Sequence, residues 1–231
     1  MQRALLTIDD APSRNTPAIV DYLNEIHIPA ILFIVGKNAE RFRAEALYAI
    51  RKGMVLGNHS YSHPGFSALS PEACIAEIEK CEAMLDSLYQ AAGVPRLFRP
   101  FRFPYGDKGG ENKALLQAYL AKNGFHKVDD TFISYPWWAE NRLNTDIDTF
   151  WTFDFEEYRL WQDPAFTTAS IQAKMAEQTP PLGAPLYSEK SGHIILMHAF
   201  DETEACLPGY WQKLLSPLLK KGIRFEAPRF R

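Results

Sequence analysis

The sequence predicts a single α/β domain, residues 1–231, built around mostly parallel strands. Short apolar runs rich in β-branched residues alternate along the whole chain with segments of helical periodicity. A chain of 231 residues with 46% hydrophobic residues is long enough to bury a substantial core. No linker, internal repeat or low-complexity tract divides it. The alternation is compatible with two architectures, a closed barrel and a doubly wound open sheet.

Eight segments are predicted as strands because each is a short apolar run bounded by turn-forming residues: 4–8, 30–35, 54–57, 97–103, 125–128, 150–154, 193–198 and 223–226. Six segments between them have the 3.6-residue period of helices: 16–27, 38–52, 71–91, 111–123, 168–178 and 208–221. Glycines follow four of the helices, where a left-handed residue ends a helix: Gly53, Gly93, Gly124 and Gly222. Two stretches, 129–149 and 178–192, fit neither pattern and are predicted as long loops.

Composition argues against nucleic-acid and membrane partners. The formal net charge is −3, and no basic cluster is longer than "LLKKGIR". No stretch contains the roughly 18 consecutive apolar residues of a membrane helix, and "MQRALLTIDD" lacks the pattern of a secretion signal. Cys74, Cys81 and Cys206 are an odd set, and the first two lie about 10 Å apart on one predicted helix, too far for a disulfide. We therefore expect a cytoplasmic protein, exported only if a leader has been removed, and the sequence does not indicate an oligomeric state.

Ionisable residues follow five of the predicted strands at the point where each strand ends. In a parallel α/β barrel, the carboxyl ends of the strands meet at the face that carries the active site. The sequence therefore predicts a polar site at this face, formed by the following residues: Asp9, Asp10, His59, His63, Arg102, Asp154, Glu157 and His198.

The adjacent carboxylates Asp9 and Asp10 are costly at the end of a buried strand unless a cation or a proton neutralises one. Two interpretations are open: a solvated turn, or a site in which one carboxylate binds a metal and the other is a free base. His59 and His63 are four residues apart, which suits two ligands of one metal ion with a carboxylate as the third. The alternative for this pair is a surface turn with two ordinary histidines.

Five motifs, in this order, resemble those of the polysaccharide deacetylase family, carbohydrate esterase family four: "TIDDAP", "NHSYSHP", "RFPYGD", "WTFDFEEY" and "ILMH". The usual forms in the family are TFDDGP, HSxxHP, RxPYG, WxxDxxDW and LxH. The match runs from residue 7 to about residue 198, nearly the whole chain. The resemblance implies a distorted (β/α) barrel of seven or eight mostly parallel strands.

Carried over residue by residue, the resemblance implies that Asp10, His59 and His63 bind one divalent metal ion. Zinc is the expected metal, and cobalt and nickel are alternatives because affinity alone does not separate them.

The resemblance also assigns the proton transfers. By this resemblance, Asp9 occupies the position of the general base and His198 the position of the general acid. Arg102 would lie beside Asp9 and keep it ionised. The backbone amide of Tyr105 would help to stabilise the oxyanion.

The fourth motif departs from the family pattern. Glu157 and Tyr158 stand where aspartate and tryptophan are usual, and Ala199 replaces the aspartate that often follows the histidine. Either Glu157 or Asp154 could orient His198, and the sequence leaves this choice open.

Together these features predict a metal-dependent hydrolase of carbohydrate metabolism, one that cleaves carbon–nitrogen bonds other than peptide bonds. It would remove an acetyl or other acyl group from an N-acetylated sugar or a related small amide. Two alternatives are the same site acting on O-acetyl esters or a ring amide, and a non-catalytic carbohydrate-binding relative. Five aromatic residues could stack on a sugar, although about half are expected in the core: Trp137, Trp138, Trp151, Tyr158 and Trp161.

Overall fold

The computed structural model describes residues 2–188 and 190–231, in which helices surround a parallel sheet. The strands are β1 (Arg3–Ala11), β2 (Ala30–Ile34), β3 (Val55–Asn58), β4 (Phe153–Asp154), β5 (His193–His198) and β6 (Arg224–Phe225). The helices are α1 (Thr16–Glu25), α2 (Gly36–Arg41), α3 (Arg43–Arg51), α4 (Pro71–Ala92), α5 (Lys113–Lys122), α6 (Pro136–Glu140), α7 (Arg159–Gln162), α8 (Thr168–Ala176), α9 (Asp201–Cys206) and α10 (Tyr210–Lys220).

The strands form a distorted barrel, which confirms the fold predicted from the sequence. The strand order is β3-β2-β1-β5-β4 with parallel pairing, and β6 pairs with the first residues of β1. Phe101 connects the two outer strands of this order, because it forms a parallel bridge with Asn58 of β3. On its other side, the carbonyl of Phe101 accepts a hydrogen bond at 2.8 Å from the backbone N–H of Thr149, just before β4. This segment closes the ring.

Two of the eight predicted strands are isolated bridges instead of regular strands. The segment 97–103 pairs only at Phe101, because Pro100 and Pro104 flank the bridge and proline has no N–H to donate to a ladder. The segment 125–128 pairs only at Val128, which forms an antiparallel bridge with Phe230. The predicted helix 38–52 is also divided into α2 and α3, because Phe42 has non-helical dihedral angles (φ −119°, ψ 47°).

β1 is buried on both faces, as expected for a central parallel strand. Side chains of a strand alternate, so Leu6 and Ile8 pack against the main hydrophobic core, whereas Leu5 lies in a second cluster. Thr7 and Asp9 share the side of Leu5 by the same alternation. A polar column therefore runs along β1 towards the carboxyl end of the barrel.

Two further expectations concern cysteines and membrane segments. All three cysteines are free thiols, with Cys74 and Cys81 buried and Cys206 exposed. Within the described ranges, no helix combines the length and the apolar character needed to cross a membrane.

Candidate active site

A cleft of about 670 Å³ opens at the carboxyl ends of the barrel strands. Seven of the nine predicted site residues line it: Asp9, Asp10, His59, His63, Tyr105, Asp154 and His198. The other two, Arg102 and Glu157, are fully buried and contact cleft residues from beneath. The structure thus brings all nine residues to one place, although they are spread over 190 positions of the chain.

The end of β1 directs its two carboxylates to different neighbours. The register of β1 with β2 shifts between Ile8 and Ala11, and Asp10 has a φ of 60°, in the left-handed region. Asp9 consequently lies beside Arg102, at 2.7 Å, and Asp10 lies beside His63, at 3.2 Å. The two adjacent carboxylates thus have different nearest partners.

Three donor atoms from Asp10, His59 and His63 lie within 4.8 Å of one another. The Nε2 atom of His63 is 3.2 Å from Oδ1 of Asp10 and 3.2 Å from Nε2 of His59. Ligands at the usual zinc distances of about 2.0–2.2 Å are separated by about 3.4 Å in a tetrahedral site. Burial, together with the nearby His59, lowers the pKa of His63 to about 4, so its imidazole is neutral at pH 7, the form that binds a metal.

The tautomer of His59 follows from its second nitrogen. Nδ1 lies 2.8 Å from the carbonyl oxygen of Arg102, which can only accept a hydrogen bond. Nδ1 must therefore carry a proton, and Nε2 lies 3.2 Å from Nε2 of His63 and 3.4 Å from Oδ2 of Asp9. A histidine that donates one N–H to a carbonyl is the usual arrangement for a metal ligand.

Asp9 forms a buried ion pair with Arg102. One terminal guanidinium nitrogen of Arg102 lies 2.7 Å from Asp9 and 2.9 Å from the hydroxyl of Thr7, and Nε donates to the carbonyl of Thr149 at 3.0 Å. The guanidinium carbon also lies 4.4 Å from the centre of the Phe33 ring. Burial alone would raise the pKa of Asp9, but Arg102, His59 and His198 together outweigh it, so the pKa is lowered and Asp9 is ionised at neutral pH.

His198 lies across the cleft beside two carboxylates. Its Nδ1 is 3.5 Å from Oε1 of Glu157 and 4.0 Å from Oδ1 of Asp154, and the same Glu157 oxygen accepts the backbone N–H of His198. Burial alone would lower the pKa of His198, but the two carboxylates raise it to about 10. Burial also raises the pKa of Asp154 to about 7. Glu157 is the closer of the two carboxylates that the sequence left as alternatives.

Tyr105 lies at the rim in a tight turn, Pro104–Gly106, with a φ of 57°. Its side chain is exposed, and its ring packs edge-on against His63 with 4.5 Å between ring centres. The role expected for its backbone amide remains a prediction.

Three of the five candidate stacking residues line the cleft: Trp151, Tyr158 and Trp161. Trp137 and Trp138 do not line it, because both pack in the second hydrophobic cluster, where the indole N–H of Trp138 donates to Asp130. Phe200 also lines the cleft and stacks on His198 with 5.9 Å between ring centres. The sequence interpretation missed Phe200, although its position two residues after His198 could have indicated it.

Two other residues missed from the sequence support the site: Asn38, which lines the cleft, and Thr7, which is buried. Asn38 donates to the carbonyl of Asp10 at 2.7 Å, and the hydroxyl of Thr7 connects Arg102 to the carbonyl of Ile195. These are isolated polar residues in apolar or helical surroundings, and their partners are distant in the chain, so no local pattern identifies them.

Comparison with known proteins identifies relatives of this chain by sequence. The family model described as polysaccharide deacetylase matches residues 2–128. A peptidoglycan-N-acetylglucosamine deacetylase of Bacillus cereus is 37% identical over 103 residues, which cover 44% of this chain and 36% of that protein. The chain thus spans about a third of that relative. A chitin deacetylase of Colletotrichum lindemuthianum is 27% identical over 95% of this chain and 75% of its own length.

Solved structures share the fold. The structure of a polysaccharide deacetylase from Bacillus cereus superposes with a TM-score of 0.65 at 22% sequence identity, covering 98% of this chain and 92% of that one. At this level of identity the likeness concerns the fold alone.

Proposed function

Because the chain belongs to the polysaccharide deacetylase family, we propose that it is a metal-dependent deacetylase that removes the acetyl group from an N-acetylated sugar. One observation carries the proposal: the three donors of Asp10, His59 and His63 lie in one cleft with the carboxylate of Asp9 and the imidazole of His198. Amide hydrolysis needs an activated water, a polarised carbonyl and a proton for the leaving nitrogen. This set of groups can meet all three requirements.

The donor set fits a divalent cation. One carboxylate and two imidazoles suit zinc, with Nε2 of His63 lying 3.2 Å from both Oδ1 of Asp10 and Nε2 of His59, and cobalt or nickel would also be accepted. When bound, such an ion would polarise the acyl carbonyl and make water a stronger acid.

The proton transfers belong to residues of the chain. Asp9, held ionised by Arg102, would take the proton of the attacking water. His198, held protonated by Glu157 and Asp154, would donate a proton to the leaving amine. A base with a lowered pKa and an acid with a raised pKa in one cleft are suited to this division of roles.

A sugar substrate is supported by the aromatic lining. Trp151, Tyr158 and Trp161 present ring surface to the cleft, and apolar sugar faces pack on such rings. The names of the relatives, which act on peptidoglycan and chitin, agree with an N-acetylated sugar.

The test is the release of acetate from a panel of N-acetylated sugars, acetyl esters and ring amides, using metal-free protein to which zinc, cobalt or nickel is restored. We expect metal-dependent acetate release from at least one N-acetylated sugar and none from His63→Ala. Cleavage of only the esters or only the ring amides would assign the site to that substrate class instead. Sugar binding without hydrolysis of any substrate would indicate a non-catalytic relative.

A further inference from the structure

We propose that Glu82, in the middle of α4, is a positioning residue for the metal-binding loop 58–63 and acts through Asn58. The inference rests on the proposed metal site, and it concerns a side chain that does not line the cleft. It follows from a buried chain of hydrogen bonds that connects α4 to both histidines.

Glu82 is only 6% exposed and has polar partners at both carboxylate oxygens. Oε1 accepts from Nδ2 of Asn58 at 2.8 Å and from Arg96 at 2.9 Å. Oε2 accepts from Arg96 at 2.9 Å and from Nε of Arg99 at 2.8 Å. The two arginines thus fix the carboxylate, and one of its oxygens is left directed at Asn58.

Asn58 connects Glu82 to the loop 58–63 by hydrogen bonds. Its side chain is completely buried, its Nδ2 also donates to the carbonyl of Ile78 at 2.9 Å, and its Oδ1 accepts the backbone N–H of Ser60 at 2.8 Å. The hydroxyl of Ser60 in turn accepts the backbone N–H of His63 at 3.0 Å. His59 is therefore the chain neighbour of Asn58, and His63 is connected to the Asn58 side chain by two hydrogen bonds through Ser60.

The loop needs such support because its backbone is strained. Ser60 has a φ of 65° and His63 a φ of 61°, and neither is a glycine. Residues in this region cost about 1–3 kcal/mol each and persist where surrounding contacts hold them. Without the bond from Ser60 to Asn58, the strain favours relaxation of the loop and separation of the two imidazoles.

A purely structural role for Glu82 is the alternative. Arg96 has a second carboxylate partner, since it also pairs with Asp86 at 2.8 Å. Buried ion pairs contribute little net stability compared with apolar residues of the same size, so a stabilising role alone is a weak reason for a charged group here. The contact with Asn58 is the feature that Glu82 has and Asp86 lacks.

The experiment measures zinc affinity of metal-free protein by competition with a chromophoric chelator, for wild type, Glu82→Ala, Asn58→Ala and the double variant. Loss of a residue that orients metal ligands weakens binding by about 10–100-fold, and we expect this for both single variants. The double variant should bind zinc about as weakly as Asn58→Ala, because both changes interrupt the same connection. Asp86→Asn is the matched control, since it removes a partner of Arg96 and leaves Asn58 untouched, and it should retain wild-type affinity.

Wild-type zinc affinity in Glu82→Ala, with or without a lower melting temperature, would overturn the proposal. Additive losses in the double variant would likewise exclude action through Asn58. If Glu82→Ala does not fold, the same zinc titration is performed on Glu82→Gln, which keeps the volume of the side chain and disturbs its polar contacts. A wild-type protein that binds no zinc would refute the proposed metal site itself, a result distinct from either of these.

Discussion

At the scale of single residues, side chains of the same type differ in their properties because their surroundings in the site differ. Asp9 and Asp10 are adjacent in sequence, yet one lies 2.7 Å from an arginine and the other 3.2 Å from a histidine. His63 and His198 likewise differ, because burial lowers the pKa of the first to about 4 and two carboxylates raise that of the second to about 10. Environment, more than residue type, determines which group can bind a metal and which can transfer a proton.

Replacement of Asp9 by asparagine should separate base from ligand. Asp9→Asn keeps the shape of the side chain but cannot take a proton, so kcat should fall by about 10²–10⁴-fold. Metal content, measured by elemental analysis, should remain near that of wild type, whereas Asp10→Asn should lose the metal. If Asp9→Asn loses the metal and Asp10→Asn retains it, the two roles are exchanged.

Replacement of Glu157 by glutamine should move the alkaline limit of activity to lower pH. The folded pKa of His198, about 10, lies above its ordinary value of 6.5. The protonated ring therefore stabilises the fold fully below pH 6.5, and that contribution is lost as the pH rises towards 10. Proton donation also requires the protonated ring, so activity should fall as the pH rises through the pKa of His198. Glu157→Gln removes the closer negative charge and should shift this fall to lower pH.

Asp154→Asn is the matched comparison for the pH profile. Its carboxylate is 4.0 Å from Nδ1 of His198, against 3.5 Å for Glu157, so its shift should be the smaller one. A larger shift in Asp154→Asn would identify Asp154 as the carboxylate that tunes His198.

At the scale of elements, the sequence predicted best those strands and helices whose own residues determine them. β5 was predicted over its full length, and α4 to within one residue, because an apolar run and a Ser-Pro start define them locally. The short helices α6, α7 and α9 were not predicted, since four to six residues form a helix only with tertiary support. Closure of the barrel through Phe101 was also beyond local patterns, because it depends on a bridge to Asn58 and a hydrogen bond from Thr149, both distant in the chain.

Replacement of Gly57 in β3 by alanine tests how closely this strand supports the site. A Cβ atom there would lie 2.7 Å from the ring of Phe33 and 3.0 Å from the carbonyl of Pro100. Phe33 packs under the guanidinium of Arg102, so its displacement should disturb the partner of Asp9. We expect a loss of about 1–3 kcal/mol in unfolding free energy by urea denaturation, as for overpacked cores, together with lower kcat.

Gly53→Ala is the control for that substitution. Gly53 has a φ of 88° and open space around it, so alanine should cost about 1–2 kcal/mol through backbone strain and leave kcat unchanged. Unchanged activity in Gly57→Ala would show that β3 tolerates displacement of Phe33 without affecting the site.

At the scale of the whole molecule, the site depends on contacts between parts of the chain that the barrel brings together. The sequence could place eight of the nine site residues at strand ends, because strand boundaries are local features, whereas only the resemblance to the family indicated Tyr105. It could not identify Glu82 or Thr7, whose importance comes from partners 24 and 95 positions away. Buried polar residues of this kind are recognisable only when their hydrogen-bond partners are known.

The same long-range arrangement predicts that metal binding stabilises the entire fold. Asp10 lies near the end of β1, and His59 and His63 follow β3, so one ion bound by all three would connect two strands separated in the sheet by β2. A ligand at 100 times its dissociation constant stabilises the native state by about 2.7 kcal/mol. For a chain of this size that corresponds to a rise in melting temperature of about 5–10 °C. Removal of the metal by a chelator should therefore lower the melting temperature of the wild type by this amount, and added zinc should restore it. His63→Ala should melt at the same temperature with and without chelator, and an equal effect of the chelator on both proteins would mean that the stabilising ion binds elsewhere.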